Sequence, residues 1–185
     1  MIADEVTLID EDDRVIGSLD KRTAHRIPAR LHRAISVFLF REVGSTIEVL
    51  LQQRSEEKIV GARLWANTVC GNVWPGESYA ACADRRLEYE LQITDTALED
   101  IYTFRYSAPC NEVYEENELD HIFAGWFAGS VQPNPHEVLD TVWVSWQSVL
   151  EKKLPGRELT PWFSQMLDSS AVRAAITAYL ERRNV

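Results

Sequence analysis

The chain has no apolar run long enough to span a membrane, and its opening segment, MIADEVTLIDEDDR, is acidic where an export or transit peptide carries basic residues. Both absences point to a cytoplasmic protein without a membrane partner. Positive charge is also scarce: 19 Lys and Arg against 29 Asp and Glu leave a formal charge of −10. Nucleic acid and anionic lipid need a cationic face that releases their counterions, so neither is expected as a partner, although a local basic pocket stays open. Cysteine is sparse and odd in number: Cys70, Cys82 and Cys110. Three thiols make no even disulfide framework, which fits a reducing compartment. Internal repeats and low-complexity tracts are lacking as well. What remains is a chain of 185 residues, enough to bury one core, read as a single domain over residues 1–185.

Alternating β-branched residues mark the strands. VTLID and EDDRVIGSLD read as a hairpin around an acidic turn, lying over the main sheet. Pro28 stops any long helix in KRTAHRIPARLH, and RAISVFLFREV and TIEVLLQQRS follow as two core strands joined at Gly44-Ser45. Residues 55–66 read as a polar loop leading to WANTVCGNVWPGES. From Ser78 to Leu91, the spacing of Ala81, Leu87 and Leu91 predicts a helix with Ser78 as its N-cap. Strands resume with DIYTFRYSA, ELDHIFAGWFAG and TVWVSW, and AVRAAITAYLERR closes the chain as an amphipathic helix. Strands and helices out of strict alternation predict an α+β fold, a mixed sheet sandwiched between helices.

Glu116 and Glu118, in EENEL at a strand entrance, lie two apart, so an extended backbone turns both carboxylates to one face. Alone, the pair fits a solvated turn as well as a metal clamp. His25 and His32 are half of the four histidines and fall within one short connection. Imidazole and carboxylate together suit a divalent metal, while a single histidine is more often a surface or capped one. Cys70, between Thr68-Val69 and Gly71, is either a thiol at a strand end or the commoner buried, inert cysteine.

Five residues separate Gly71 from Glu77, and seven further residues lead to RRLEYELQI. This segment resembles a Nudix box, the loop and helix that present glutamates to the metal on a diphosphate. Where a hydrolysing box has Glu, Glu and Gly, this chain has Arg86, Tyr89 and Gln92; Glu90 is the glutamate kept in the metal-binding stretch. The ordered set LDKRTAHRIPARLHRAISVFLF, LWANTVCG, GES, RRLEYEL, FRYSA, ENEL and TPWF spans nearly the whole chain. It resembles the type I isopentenyl-diphosphate isomerases, a Nudix-fold family.

That resemblance implies a Nudix-like domain with an N-terminal hairpin extension and a C-terminal helix. It also implies an enzyme that converts isopentenyl diphosphate to dimethylallyl diphosphate, adding a proton to the terminal alkene carbon and removing one from the allylic carbon. A divalent metal, Mn2+ or Zn2+ with Mg2+ as an alternative, would sit at the positions of His25, His32, Asn72, Glu116 and Glu118. Cys70 and Glu118 would form the acid-base pair, Tyr106 would assist proton delivery, and Trp162 would face the carbocation, whose charge an aromatic face attracts. Lys21, Arg54, Lys58 and Arg86 would contact the diphosphate, and Glu90 would hold a Mg2+ that bridges to it. Arg86 then binds phosphate where a hydrolase would hold metal, which disfavours hydrolysis. Either a monomer or a homodimer is expected.

Asn72 departs from the family, which has a third histidine there, and Val73 replaces the proline that commonly follows. An amide oxygen is a neutral, hard donor, weaker than imidazole for Zn2+ or Mn2+, so weaker or altered metal binding is expected. Asp120 has the parity to compensate; His121 has not. Alternative readings are a related enzyme acting on another prenyl or allylic diphosphate, or a diphosphate-binding protein that has lost metal and catalysis. A Nudix hydrolase is more distant.

Overall fold

Residues with the strongest strand character are also those that pair. The computed structural model describes residues 5–184. Among the described residues nine strands form one mixed sheet: β1 (Glu5–Ile9), β2 (Val15–Asp20), β3 (His32–Val43), β4 (Thr46–Arg54), β5 (Trp65–Ala66), β6 (Val69–Asn72), β7 (Leu98–Pro109), β8 (Glu115–Trp126) and β9 (Val138–Ser145). The helices are α1 (Lys21–Ala24), α2 (Tyr79–Leu91), α3 (Trp146–Leu150), α4 (Pro161–Asp168) and α5 (Ser170–Glu181). No helix among the described residues is long and apolar enough to cross a membrane.

β3 organises the sheet. It runs parallel to β8 on one side; on the other, its first half pairs with β6 and its last residues pair with β4 across the Gly44-Ser45 turn. The SVFLF run shows why it is central. Phe38 and Phe40 are fully buried on one face, in a core with Trp146, Phe163, Met166 and Ile176. Ile35, Val37 and Leu39 are buried on the other, against Cys82, Ala83, Leu87 and Leu91 of α2. A strand covered on both faces reads as a continuous apolar run, and here helices cover both, the expected sandwich.

Several expectations need correction. The N-terminal hairpin forms but extends the sheet edge rather than lying over it: Leu8 pairs with His32, and Thr7 N donates to the Val73 carbonyl at 3.0 Å. Backbone groups on β1 find partners this way that a stacked hairpin would leave unpaired. Helix α2 starts at Ser78, whose Oγ accepts from Ala81 N at 3.1 Å, but Ala81 itself is exposed. Leu87 is six positions beyond Ala81, which turns them to different sides of a helix; the buried stripe is Ala83, Leu87 and Leu91, four apart. The loop at 55–66 ends in β5, paired to β4, and two unexpected helices, α3 and α4, precede the C-terminal one.

Candidate active site

Strand register brings the distant candidates together. Parallel pairing sets His32 opposite Glu118 and Ala34 opposite Asp120; β6 sets Asn72 opposite Ala34 and Cys70 opposite Ser36; β7 sets Tyr106 opposite Glu118. Residues opposite one another share a face, so these side chains all project to one side of the sheet. It is the side that carries α4, whose second residue is Trp162. One cleft is lined by Lys21, His25, Arg54, Lys58, Cys70, Asn72, Arg86, Tyr106, Glu116, Glu118 and Trp162. His32 and Glu90, both fully buried, stand behind Glu118 and Arg86.

His25, His32, Glu116 and Glu118 present ligand atoms that all lie within 4.8 Å of one another. His25 Nδ1 bonds the Lys21 carbonyl at 2.7 Å and His32 Nδ1 bonds the Arg30 carbonyl at 2.8 Å. A carbonyl only accepts, so both Nδ1 atoms carry protons, and Nε2 is the ring atom that each histidine turns to the cluster. Glu116 Oε2 is buried, with His25 Nε2 2.9 Å away. Converging lone pairs with backbone-fixed imidazoles fit a divalent cation. Without one, burial opposes charge on His25, but the contact and charge of Glu116, with Glu118, outweigh it and raise the His25 pKa.

Asn72 reaches this cluster in an unexpected role. Its Nδ2 donates to Glu118 Oε1 at 2.9 Å, so the amide nitrogen, not the ligand-type oxygen, faces the carboxylate. Tyr106 donates its hydroxyl to the other oxygen of Glu118. Asp120 does not compensate for Asn72. It lies outside the cluster, accepting from Ser36 Oγ at 2.8 Å, and burial together with the Glu118 charge pushes its pKa well above the carboxylate range. His121 points away, as its parity requires, stacking on Tyr79 with ring centroids 3.7 Å apart.

Cys70 occupies the other side of β3 from Glu118. Its Sγ donates to Asn67 Oδ1 at 3.1 Å, and Asn67 is fixed by bonds from Nδ2 to the Val37 and Val69 carbonyls. Burial pushes the thiol up to about 12 against the pull of Arg54, so it is protonated at neutral pH. Arg54 is held by the Val60 carbonyl, with its guanidinium carbon 5.0 Å from the centre of the Trp162 ring.

Lys58, Arg85 and Arg86, at the mouth, are paired with carboxylates. Arg86 Nε donates to Glu90 Oε1 at 2.9 Å and Gln52 Nε2 donates to Glu90 Oε2 at 2.9 Å, so the carboxylate expected to hold Mg2+ is engaged by protein donors. Three residues absent from the sequence reading complete the site. Glu137 joins Lys58 and Arg86. Arg85 pairs with Glu77 at 2.6 Å and lies 3.6 Å from the centre of the Trp74 ring, and both Arg85 and Trp74 line the cleft. The pairing of Arg85 with Glu77, eight residues earlier, was signalled by the box spacing; Glu137 had no local signal.

A family model for the NUDIX domain matches residues 30–163. Solved structures agree on the fold: a Deinococcus radiodurans protein superposes with a TM-score of 0.71 at 19% identity, over 89% of this chain and 97% of that one. The MutT protein of Methanosarcina mazei gives 0.61 at 22% identity, over 80% and 95%. Fold and sequence therefore define a Nudix domain. The isopentenyl-diphosphate Delta-isomerase of Streptomyces coelicolor is 38% identical over 164 residues, 88% of this chain and 81% of the relative. Isopentenyl-diphosphate Delta-isomerase 1 of Aromatoleum aromaticum is 43% identical over 141 residues, 76% and 77%. The chain belongs to the isopentenyl-diphosphate Delta-isomerase family of Nudix proteins.

Proposed function

We propose that this protein isomerises isopentenyl diphosphate to dimethylallyl diphosphate, with Cys70 and Glu118 as the acid-base pair. The observation that carries the assignment is their placement: strands β6 and β8 flank β3, and both side chains enter one cleft whose mouth is cationic and whose wall is Trp162. One member of the pair gives a proton to the terminal alkene carbon and the other takes one from the allylic carbon, so the double bond moves and the proton count is conserved. The Tyr106 hydroxyl, bonded to Glu118, holds that carboxylate and relays its proton. The Trp162 face and the enclosed pocket favour a tertiary cation over its capture by water.

Lys21, Arg54, Lys58 and Arg86 bind and orient the diphosphate, and Arg86 occupies the place from which a hydrolase would activate water. His25, His32, Glu116 and Glu118 would hold a divalent cation, Zn2+ or Mn2+ by donor type. Bound there, it supplies a positive charge that sets the proton affinity of Glu118. Glu90 would hold Mg2+ with the diphosphate once Arg86 turns to the phosphate.

The test is turnover of isopentenyl diphosphate with Mg2+ in D2O, followed by NMR, on protein whose bound metal has been measured. Dimethylallyl diphosphate carrying deuterium is expected. Metal-loaded, folded protein that forms no such product refutes the reading, and released phosphate would make it a hydrolase.

A further inference from the structure

Glu137 lies on the connection between β8 and β9, one residue before β9 begins. A single oxygen, Oε2, takes Arg86 Nη2 at 2.6 Å and also the Lys58 ammonium. The backbone that carries it is fastened on two sides. Asn134 N donates to the Glu90 carbonyl at 2.8 Å, Glu137 N to the Asn134 carbonyl at 2.9 Å, and Ser55 N to the Glu137 carbonyl at 3.0 Å. Ser55 Oγ adds a bond to the His136 carbonyl at 2.7 Å. So the loop is tied to both α2 and the end of β4, while the side chain is a rotatable arm. It sits on the wall of an outer vestibule that shares Lys21, Arg54, Lys58 and Arg86 with the inner cleft.

Charge makes the arrangement informative. Lys58 and Arg86 bring two positive charges, and Glu90 and Glu137 bring two negative ones, so the group sums to zero. A diphosphate gains little from a neutral clamp, and with Glu137 in place it must also approach a fixed carboxylate. Burial lowers the Lys58 pKa, while Arg86 and Lys58 hold Glu137 down to about 2 against its own burial; the carboxylate therefore stays ionised throughout the working range. Once the arm swings out, both cations have free donors pointing into the cleft.

We propose that Glu137 is a built-in counter-anion: it fills the diphosphate slot between Lys58 and Arg86 in the free protein, and the substrate's diphosphate displaces it. This rests on the isomerase reading and makes Glu137 a specificity-determining residue within it. An anion that engages only Lys58 and Arg86 merely replaces the carboxylate and gains nothing. A diphosphate that also reaches Lys21 and Arg54 gains contacts that Glu137 cannot match, so the site discriminates against weaker anions without a separate gate.

Glu137→Gln keeps the arm and removes its charge. The dissociation constant of inorganic pyrophosphate, measured by calorimetry with Mg2+ present, and the KM for isopentenyl diphosphate are both expected to fall about tenfold. The ligand-free variant should melt at a lower temperature, because Lys58 and Arg86 have lost a counter-charge, while its rise in Tm on adding pyrophosphate should be larger than that of the wild type. A residue with a merely structural role would lower stability without tightening binding. Glu137→Asp, which keeps the charge, should stay within about threefold of the wild-type affinity. Pyrophosphate binding that is unchanged or weaker in Glu137→Gln overturns the proposal; weaker binding restored by excess Mg2+ would make Glu137 a cation ligand instead. The isomerase reading fails separately, if wild-type protein that binds pyrophosphate converts no isopentenyl diphosphate.

Discussion

Replacing Asn72 with histidine tests whether this position faces a bound cation. The Asn72 amide nitrogen is 2.9 Å from Glu118 Oε1, and that same oxygen is 3.2 Å from His32 Nε2, so a side chain at 72 already reaches the four-residue cluster. Asn72→His gives up a hydrogen bond to a carboxylate, worth about 1.5–3 kcal/mol when its donor is removed from a buried site. In exchange it offers a fifth ligand. Metal sites respond to changes of this scale by about 10- to 100-fold in affinity, or about 1.4–2.7 kcal/mol. Asn72→His is therefore expected to tighten Zn2+ by that factor and to lose stability only in the metal-free form. Competition with a chromophoric chelator gives the dissociation constant, and Asn72→Leu, which loses the hydrogen bond and gains no ligand, is the control. Equal Zn2+ affinity in Asn72→His and wild type would show that the side chain does not face the cation. Tighter metal with lost turnover would instead identify the amide as the group that orients Glu118.

Three further outcomes are expected. Cys70→Ala should abolish isomerisation with little change in thermal stability, while Cys82→Ala, in the α2 core, should keep activity; equal activities would remove the thiol from the reaction. Because its pKa is raised to about 12, the Cys70 thiol should also react with iodoacetamide at pH 8 much more slowly than free cysteine, and mass mapping of the alkylated peptide checks this. Gln92 ends α2 in the left-handed region, φ 55 and ψ 38, where a β-carbon is strained. Gln92→Gly should stabilise by about 0.5–1 kcal/mol, or about 1–4 °C in Tm, and a lower Tm would show that the Gln92 side chain makes a compensating contact.

Local periodicity was enough to place Glu116 and Glu118 on one face, to start α2 at Ser78 and to turn the chain at Gly44-Ser45. These features depend on neighbours a few residues apart. The pairing of His32 with Glu118 does not: it exists because β3 and β8 run parallel across 86 residues of sequence, and only the family resemblance anticipated it. Glu137 was illegible for the same reason, since the register of β9 on β4 carries it to Lys58 and nothing near it in the chain predicts two cationic partners. The short helix α4 had a readable start in Thr160-Pro161, a capping residue before a proline at the first helical position, but at eight residues it gave too little apolar periodicity to be read.

Gly71 shows how tightly the cysteine loop and the altered box depend on each other. Within β6, alternation turns Cys70 and Asn72 towards the cleft and Gly71 towards α2. A β-carbon on Gly71 would lie 2.6 Å from Arg86 Cγ and 2.9 Å from Arg86 Cδ. The stem of Arg86 thus crosses directly over this residue on its way to Glu90 and Glu137. A side chain at 71 would lift the guanidinium off that path, so the route Arg86 takes to the cleft requires a glycine between the thiol and the amide. Asn72 and Arg86 then meet on one surface: the strand residue donates to Glu118, the carboxylate proposed to handle protons, and the helix residue passes over the glycine to the place proposed to bind the diphosphate.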